Sequence, residues 1–405
     1  MLTPDMIALV KGTAPVLKTH GEALTRHFYA RMFQHNPELK HVFNQGHQHV
    51  GQQQQALAAA VAAYAENIED PGVLMPVVER IVHKHVSLGI RPEHYAIVGK
   101  HLLASIREVL GEAASDELIE AWAAAYGQLA DLLIAEEARL YSKVSSQPGG
   151  WSGWRAFRID EKVQESAEIT SFYLAPCDGG EVPAYQPGQY VSVRIYVPQL
   201  DLMQPRQYTA SDRPGHGRLR ISVKREAGGG DAPAGQVSNL LHDQYKVGDV
   251  LDVAPPVGDF HLSVESGRPV VLLSGGVGLT PMISMLNHLI EQNDERQIRF
   301  IHGCRNGQVH AMKDHVNGIA TTHPNVRKAV FYEHIGPQDK VGQDYDHEGR
   351  VDLEAIREQA ILPEADYFLC GPMPFMQAQY HSLKALGVPV ERIHAEVFGT
   401  GGLGA

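Results

Sequence analysis

The sequence predicts a multidomain fold: an all-α domain, then an antiparallel β-barrel, then a doubly wound α/β domain. Three observations carry this. Residues 1–143 hold only 9 of the 39 Gly and 6 of the 24 Pro. Both residues break helices, so the first third should be helical and the remainder rich in strands and loops. The apolar period then falls from three-to-four residues towards two beyond Ser142–Gly150, SKVSSQPGG, a stretch of linker composition. From Arg268 it changes again, to a strand, a Gly-rich turn, a helix and a second strand, which is a βαβ rhythm. At 405 residues the chain is also too long for one ordinary core.

In the first third, Thr3-Pro4 reads as an N-cap followed by a first helical residue. Val78, Ile81, Val82, His85 and Gly89 recur at helical spacing, as do Leu102, Leu103, Ile106 and Leu110, and Leu129, Leu132, Leu133 and Leu140. After the linker, Phe157–Val163, Ile169–Leu174, Tyr190–Val197 and Leu219–Lys224 read as strands at the spacing of a small antiparallel barrel. Then Val270–Leu273 leads into a Gly-rich turn and the helix Met282–Glu291, followed by strand Ile298–Ile301. The expected domains are 1–147, 148–265 and 266–405.

The formal net charge of −12 argues against nucleic-acid binding and against an electrostatic grip on anionic membranes. The cysteines, Cys177, Cys304 and Cys370, are few and widely spaced, as in a reducing compartment. With no signal-peptide pattern at the N-terminus and no run of 18 apolar residues, the expectation is a cytoplasmic protein without a transmembrane helix.

The sharpest motif is PRQYTASD at 205–212. Arg206 offers a planar fork suited to a phosphate. Strand alternation puts Arg206 and Tyr208 on one side and Gln207 and Thr209 on the other. On these residues alone, a barrel strand with an incidental surface Arg is the competing reading. The motif resembles R-x-Y-[ST] of the ferredoxin–NADP reductase superfamily. That resemblance implies Tyr208 against a flavin ring and Thr209 near its N5 edge. PGQY at 187–190 resembles the superfamily's preceding strand, with Tyr190 near the flavin. Gly235-Gln236-Val237-Ser238 resembles its second phosphate element, a small-residue turn opening a helix, with Ser238 as a hydroxyl donor. A pyrophosphate there implies FAD rather than FMN.

Gly275-Gly276-Val277-Gly278-Leu279-Thr280-Pro281 follows a buried strand. It lacks the third Gly of G-x-G-x-x-G and the Lys of a P-loop. It resembles the superfamily's GGxGxTP turn, whose glycines let backbone approach a pyrophosphate. Cys370-Gly371-Pro372 resembles the superfamily's C-G-P element at a strand's carboxyl end, where open α/β sheets bind ligands. The resemblance places Cys370 near the nicotinamide; a buried structural cysteine is the alternative. In EVFG, Phe398 is expected to cover the flavin, although the tail TGGLGA departs from the family. Strand Ile298–Ile301 ends in His302-Gly303-Cys304-Arg305, with no acid for a ribose 2′-hydroxyl and with an Arg that tolerates a 2′-phosphate. NADH and NADPH therefore both stay open, and family resemblance favours NADH.

The helical third holds Phe28-Tyr29, Phe43, the run Gln52–Gln55 with Leu57, KHVSLG at 84–89, Tyr95 and Glu137. His85 lies on the apolar stripe of Val78, Ile81 and Val82, although in a chain with 22 histidines a lone one is more often a solvated or satisfied core residue. His83 lies off that stripe and His101 falls in the next helix. This set resembles the globin module of the flavohaemoglobins, a globin joined to a ferredoxin–NADP reductase-like module. The resemblance implies one haem b with His85 as proximal iron ligand, and one FAD. It places Tyr95 and Glu137 on the proximal imidazole, with Glu136 separated from Glu137 by the alignment alone. It implies a distal pocket of Tyr29, Phe43, Gln53 and Leu57, the Gln register being open by one.

By the same resemblance the chain is a monomeric NAD(P)H-dependent nitric oxide dioxygenase. Electrons pass from NAD(P)H through FAD to the haem, whose oxygen complex turns nitric oxide into nitrate. Oxygen and nitric oxide are the expected substrates, and the family also admits lipid or other apolar ligands to the haem pocket. Two rivals stand beside it. One is an NAD(P)H-dependent flavin reductase or oxidase with an accessory globin. The other is an oxygen or redox sensor, which normally carries an output module that this sequence does not show.

Overall fold

Why the first third folds as helices is visible at its first cap. In the computed structural model, which describes residues 2–46, 51–229 and 233–399, the Thr3 hydroxyl accepts from the Met6 amide at 3.3 Å. Pro4 opens the helix, its missing N–H costing nothing there. The helices are α1 (Pro4–Gly12), α2 (Ala14–His35), α3 (Gln52–Glu66), α4 (Met75–Leu88), α5 (Pro92–Leu110) and α6 (Asp116–Ser145). Gly89, expected on a helix face, instead ends α4 in the left-handed region at φ 75°. There the Ile90 amide bonds the His85 carbonyl, a glycine-terminated helix end. Helix α6 runs through the first part of the expected linker, to Ser145, and Val144 there is still buried. By length and composition α6 could cross a bilayer. Here its apolar positions Leu118, Ala121, Trp122 and Ala125 pack with Phe28, Met32 and Ile106 in one core. A second cluster joins Val78, Val82, Tyr95 and Leu133.

The next strands are β1 (Arg155–Gln164), β2 (Ile169–Pro176), β3 (Tyr190–Val197), β4 (Leu202–Thr209), β5 (Leu219–Lys224) and β6 (Val250–Val253), with α7 (Gln236–Asp243) between the last two. They form a sheet in the order β4-β3-β6-β1-β2-β5, with β2 antiparallel to both β1 and β5. Ala210, just past β4, pairs with Ile221 of β5, so the two edge strands meet and the sheet closes as a barrel does.

The last part holds β7 (Val270–Gly275), α8 (Leu279–Glu291), β8 (Ile298–Cys304), α9 (Lys313–Thr322), β9 (Val326–Tyr332), β10 (His347–Glu348), α10 (Arg357–Ala360), β11 (Asp366–Cys370), α11 (Met373–Ala385) and β12 (Ile393–Glu396). The parallel sheet runs β10-β9-β8-β7-β11-β12. Strands β7 and β11 are buried at every position, as central parallel strands must be. Alternate residues feed two cores. Leu272, Phe300 and Phe368 pack on α8, while Leu273, Ile301 and Leu369 pack with Met376 and Leu383 of α11. The order reverses between β7 and β11, so ligand chemistry is expected at their carboxyl ends. Helix α8 begins three residues earlier than the sequence pattern suggests, because a 3-10 turn at Gly276–Gly278 leads directly into it.

By contacts the chain divides into two compact units: Met1–Arg155 with Ser192–Arg206 and Val253–Asp259, and Ala156–Val191 with Gln207–Asp252 and Phe260–Ala405.

Candidate functional site

In the helical domain, the stripe of α4 that buries Val78 and Val82 also carries His85. Its Nδ1 lies 2.7 Å from Glu137 Oε1 on α6 and 3.0 Å from the Tyr95 hydroxyl on α5. Tyr95 in turn donates to the same carboxylate oxygen at 2.5 Å. Glu137 is 2% exposed. Burial first, and then the Glu137 carboxylate, push the Tyr95 phenol far above its ordinary range. With Nδ1 committed, Nε2 is the nitrogen left to bind a metal, and a carboxylate on the opposite ring nitrogen is one of the partners that fix and enrich a metal-binding imidazole. The competing histidines are engaged otherwise. His83 accepts from the Gly258 amide at 2.9 Å, and His101 bonds Arg31 and Asn36. Glu136 faces outward, in an ion pair with Arg139.

Tyr29 on α2 is enclosed by aromatic rings, with centroids 4.9 Å from Phe28, 5.8 Å from Phe33 and 5.8 Å from Phe43. Burial alone raises its phenol far above the ordinary range. Among the described residues its hydroxyl makes no hydrogen bond, so its O–H is left as a donor within an aromatic enclosure. Phe43 and Leu57 pack against the same core as Tyr29. Gln53 and Leu57 are half-buried, one turn apart on α3. Gln54 is buried, and its carbonyl accepts from Thr25 on α2 at 2.8 Å. The glutamine run therefore splits into distinct environments.

In the barrel, Tyr190 opens β3, and Arg206, Gln207, Tyr208 and Thr209 end β4. Thr209 is buried, Arg206 and Tyr208 are half-buried and Gln207 is exposed. An Arg206 Nη1 donates to the Pro205 carbonyl at 2.7 Å. Gly188, in PGQY, has φ 107°, and a Cβ there would lie 2.7 Å from both Met285 Cε and the Phe260 carbonyl. Gly235 is the extended N-cap of α7, followed by Gln236, Val237 and Ser238 in its first turn. Ser238 donates to the Gly235 carbonyl and accepts from the Glu226 amide, both at 3.2 Å, so its hydroxyl shapes the turn. The other end of α7 is closed by Lys162, whose ammonium donates to the carbonyls of Leu241, His242 and Tyr245. Phe398, beyond β12, is exposed. Residues 400–405 of the atypical tail lie outside the described residues.

At the carboxyl ends of β7 and β11 two loops meet, and glycine permits it. A Cβ on Gly278 would lie 2.2 Å from the Cys370 carbonyl oxygen, and one on Gly371 would lie 2.7 Å from Phe375. Gly275 packs on Pro372 and Phe375. Gly276 takes φ 53°, with open space where a side chain would be. Val277 is half-buried; Leu279, Thr280 and Pro281 are buried. The Thr280 hydroxyl donates to the Val277 carbonyl at 3.1 Å, so it braces the turn rather than capping α8, whose N-cap is Gly278. The Cys370 thiol is fully buried in the core under α8, and burial raises it well above its ordinary range. If the turn takes a nicotinamide dinucleotide, Thr280→Ala should raise KM for NADH about 5-fold, the loss of roughly 1 kcal/mol of bracing, with FAD content unchanged. Stopped-flow flavin reduction reads both.

Two groups escape sequence reasoning. The Asp212 carbonyl accepts from Tyr185 at 2.7 Å and from Ser284 of α8 at 2.8 Å, and its carboxylate accepts from Asn287 of α8 at 2.8 Å. The end of PRQYTASD is thereby fixed to the helix that follows the Gly-rich turn. His302 on β8 bonds Ser274 at 2.8 Å, and its ring stacks on His310 at 5.1 Å. His310 bonds Tyr332 at 2.8 Å. Burial depresses the His302 imidazole to about 4. An unfolded imidazole titrates near 6.5, so between those values the unfolded chain binds more protons. The contribution of His302 is thus complete above pH 6.5 and about 3 kcal/mol is lost as pH falls to 4. Denaturant unfolding of the parallel-sheet domain at pH 7 and pH 4.5 should show that loss, and His302→Asn should reduce it. An equal loss in both proteins would refute the assignment.

Comparison with known proteins agrees with this geometry. Residues 26–133 match the globin family model, 156–262 the oxidoreductase FAD-binding domain and 272–381 the oxidoreductase NAD-binding domain. The chain is 71% identical over 404 residues to the flavohemoprotein of Bordetella parapertussis, covering 100% of both. It superposes on a flavohemoglobin of Malassezia yamatoensis with bound FAD and heme at TM-score 0.86 and 28% identity, covering 98% of this chain and 100% of that one. The FAD/NAD-binding domain of a Vibrio cholerae nitric oxide dioxygenase aligns with 61% of this chain and 99% of its own, at 38% identity and TM-score 0.55. A globin domain, an FAD-binding barrel and an NAD-binding parallel sheet thus make up one oxidoreductase with haem and flavin cofactors, and the chain belongs to the flavohemoprotein family.

Proposed function

We propose that this oxidoreductase is a nitric oxide dioxygenase, passing electrons from a reduced nicotinamide through FAD to haem b and combining nitric oxide with oxygen to give nitrate. The observation that carries it is the buried Glu137 carboxylate 2.7 Å from His85 Nδ1. When bound, the nicotinamide supplies a hydride, FAD divides it into single electrons, and haem supplies an iron that accepts them one at a time.

The chain's own residues do the rest. Glu137 and Tyr95 orient the imidazole and give it anionic character, which favours oxygen chemistry over carriage. The Tyr29 hydroxyl supplies a donor on the distal side, with Phe43, Gln53 and Leu57 lining it. Arg206 and the first turn of α7 hold the FAD phosphates, while Tyr190, Tyr208, Thr209 and Phe398 frame the ring. The Gly275–Pro281 turn and Cys370-Gly371-Pro372 receive the nicotinamide. The name of the Vibrio cholerae relative supports the activity. We assign the domains to 1–147, 148–265 and 266–405, and the three free cysteines favour a reducing, cytoplasmic setting.

The test is NADH- and oxygen-dependent conversion of nitric oxide to nitrate by purified protein, with nitrate measured against NADH consumed. Wild type that reduces an artificial acceptor but yields no nitrate overturns the proposal. Glu137→Gln should raise the haem midpoint potential and slow nitrate formation, because a neutral amide no longer pushes electron density through the imidazole. An unchanged potential would remove Glu137 from this role.

A further inference from the structure

We propose that Glu168, by holding the Arg305 guanidinium, makes the nicotinamide site select NADH over NADPH. This rests on reading 275–281 and 370–372 as the dinucleotide site. In a doubly wound sheet the strand next to the pyrophosphate turn ends where the adenosine ribose is read, by an acid for a 2′-hydroxyl or an Arg for a 2′-phosphate. Here that strand is β8, and it ends at Cys304 followed by Arg305. From sequence, Arg305 is a free fork that admits a 2′-phosphate.

The structure changes that reading. Arg305 forms an ion pair with Glu168, which lies just before β2 and 137 residues away in the chain. Glu168 is set there by backbone bonds on both sides. The Ala167 amide donates to the Gln308 carbonyl at 2.9 Å, and the Glu168 carbonyl accepts from the Arg225 amide at 2.8 Å. A second carboxylate, Glu333, also acts on Arg305. Its backbone amide bonds the Cys304 carbonyl at 3.1 Å, which brings the end of β9 alongside. Glu333 is itself paired with Arg350 at 3.6 Å, so Glu168 is the carboxylate that occupies the Arg305 fork. A 2′-phosphate must displace Glu168 from the fork, whereas a 2′-hydroxyl brings no charge and meets an acceptor. Discrimination is then built by repulsion as much as by contact.

The test compares kcat/KM for NADPH and NADH in ferricyanide reduction by the FAD- and haem-loaded protein. Wild type should prefer NADH. Glu168→Gln should raise the NADPH-to-NADH ratio about fivefold, the upper end of what one exposed charge pair is worth. Adding Arg305→Ala to Glu168→Gln should abolish that gain. An exposed ion pair contributes little to folding, and flavin and Soret absorbance confirm that each variant is loaded. A wild type that prefers NADPH, an unchanged ratio in Glu168→Gln, or a gain that survives loss of Arg305 overturns the inference alone. If neither nicotinamide reduces the flavin, the dinucleotide-site reading falls with it.

Discussion

Arg206→Ala should strip FAD from the protein while leaving haem in place. Arg206 is half-buried near the end of β4, its fork held at one corner by the Pro205 carbonyl. A partly fixed guanidinium loses less rotamer entropy on meeting a phosphate, and its charge-assisted bonds are among the stronger polar contacts. Losing one such bond costs about 1.5–3 kcal/mol, which weakens FAD binding roughly 10- to 100-fold. Gel filtration at low micromolar protein should then separate flavin from a chain whose Soret band is unchanged. Lysine at 206 should restore only part of the affinity, because a point charge does not reproduce the planar fork. Full FAD occupancy in Arg206→Ala would show that the phosphate is held elsewhere.

Much of this arrangement is legible in the sequence, and the parts that are not have physical reasons. The three architectures follow from local rules: where Gly and Pro fall, and whether the apolar period is helical or alternating. His85 is legible because it shares a stripe with Val78 and Val82. Glu137 is not separable from Glu136 by spacing, since neighbours on a helix differ by about 100° and either fits a polar edge of α6. Only the packed helix shows one carboxylate buried on His85 and the other paired with Arg139. The glutamine run has the same difficulty. Asp212 and Glu168 are invisible for a different reason. Their roles arise where distant segments meet, at α8 for Asp212 and at the end of β8 for Glu168. His302 left one faint signal, an imidazole inside the apolar strand IRFIHGC, but nothing local shows that it is buried to the point of staying neutral.

Tyr29→Phe should speed oxygen release from the reduced protein roughly 10- to 100-fold, the effect of losing a hydrogen bond to a partly charged ligand worth about 1.5–3 kcal/mol. The substitution removes one oxygen atom and keeps the ring, so contacts with Phe28, Phe33 and Phe43 at 4.9–5.8 Å should persist. The hydroxyl makes no hydrogen bond among the described residues, so its loss leaves no buried group unpaired, and Phe carries no desolvation cost. Stability should therefore hold or rise slightly, and any kinetic change can be assigned to the missing donor. Nitrate formation from nitric oxide should fall in step with faster oxygen release. NADH-driven ferricyanide reduction should not change, because its electrons leave at the flavin, before the haem. Stopped-flow absorbance at the Soret band measures the release, and nitrate assay measures the turnover. If Tyr29→Phe keeps wild-type oxygen release, the donor is another residue, with Gln53 on α3 the next to substitute. If oxygen release quickens and nitrate formation does not fall, ligand retention does not limit the reaction and Tyr29 loses its place in it.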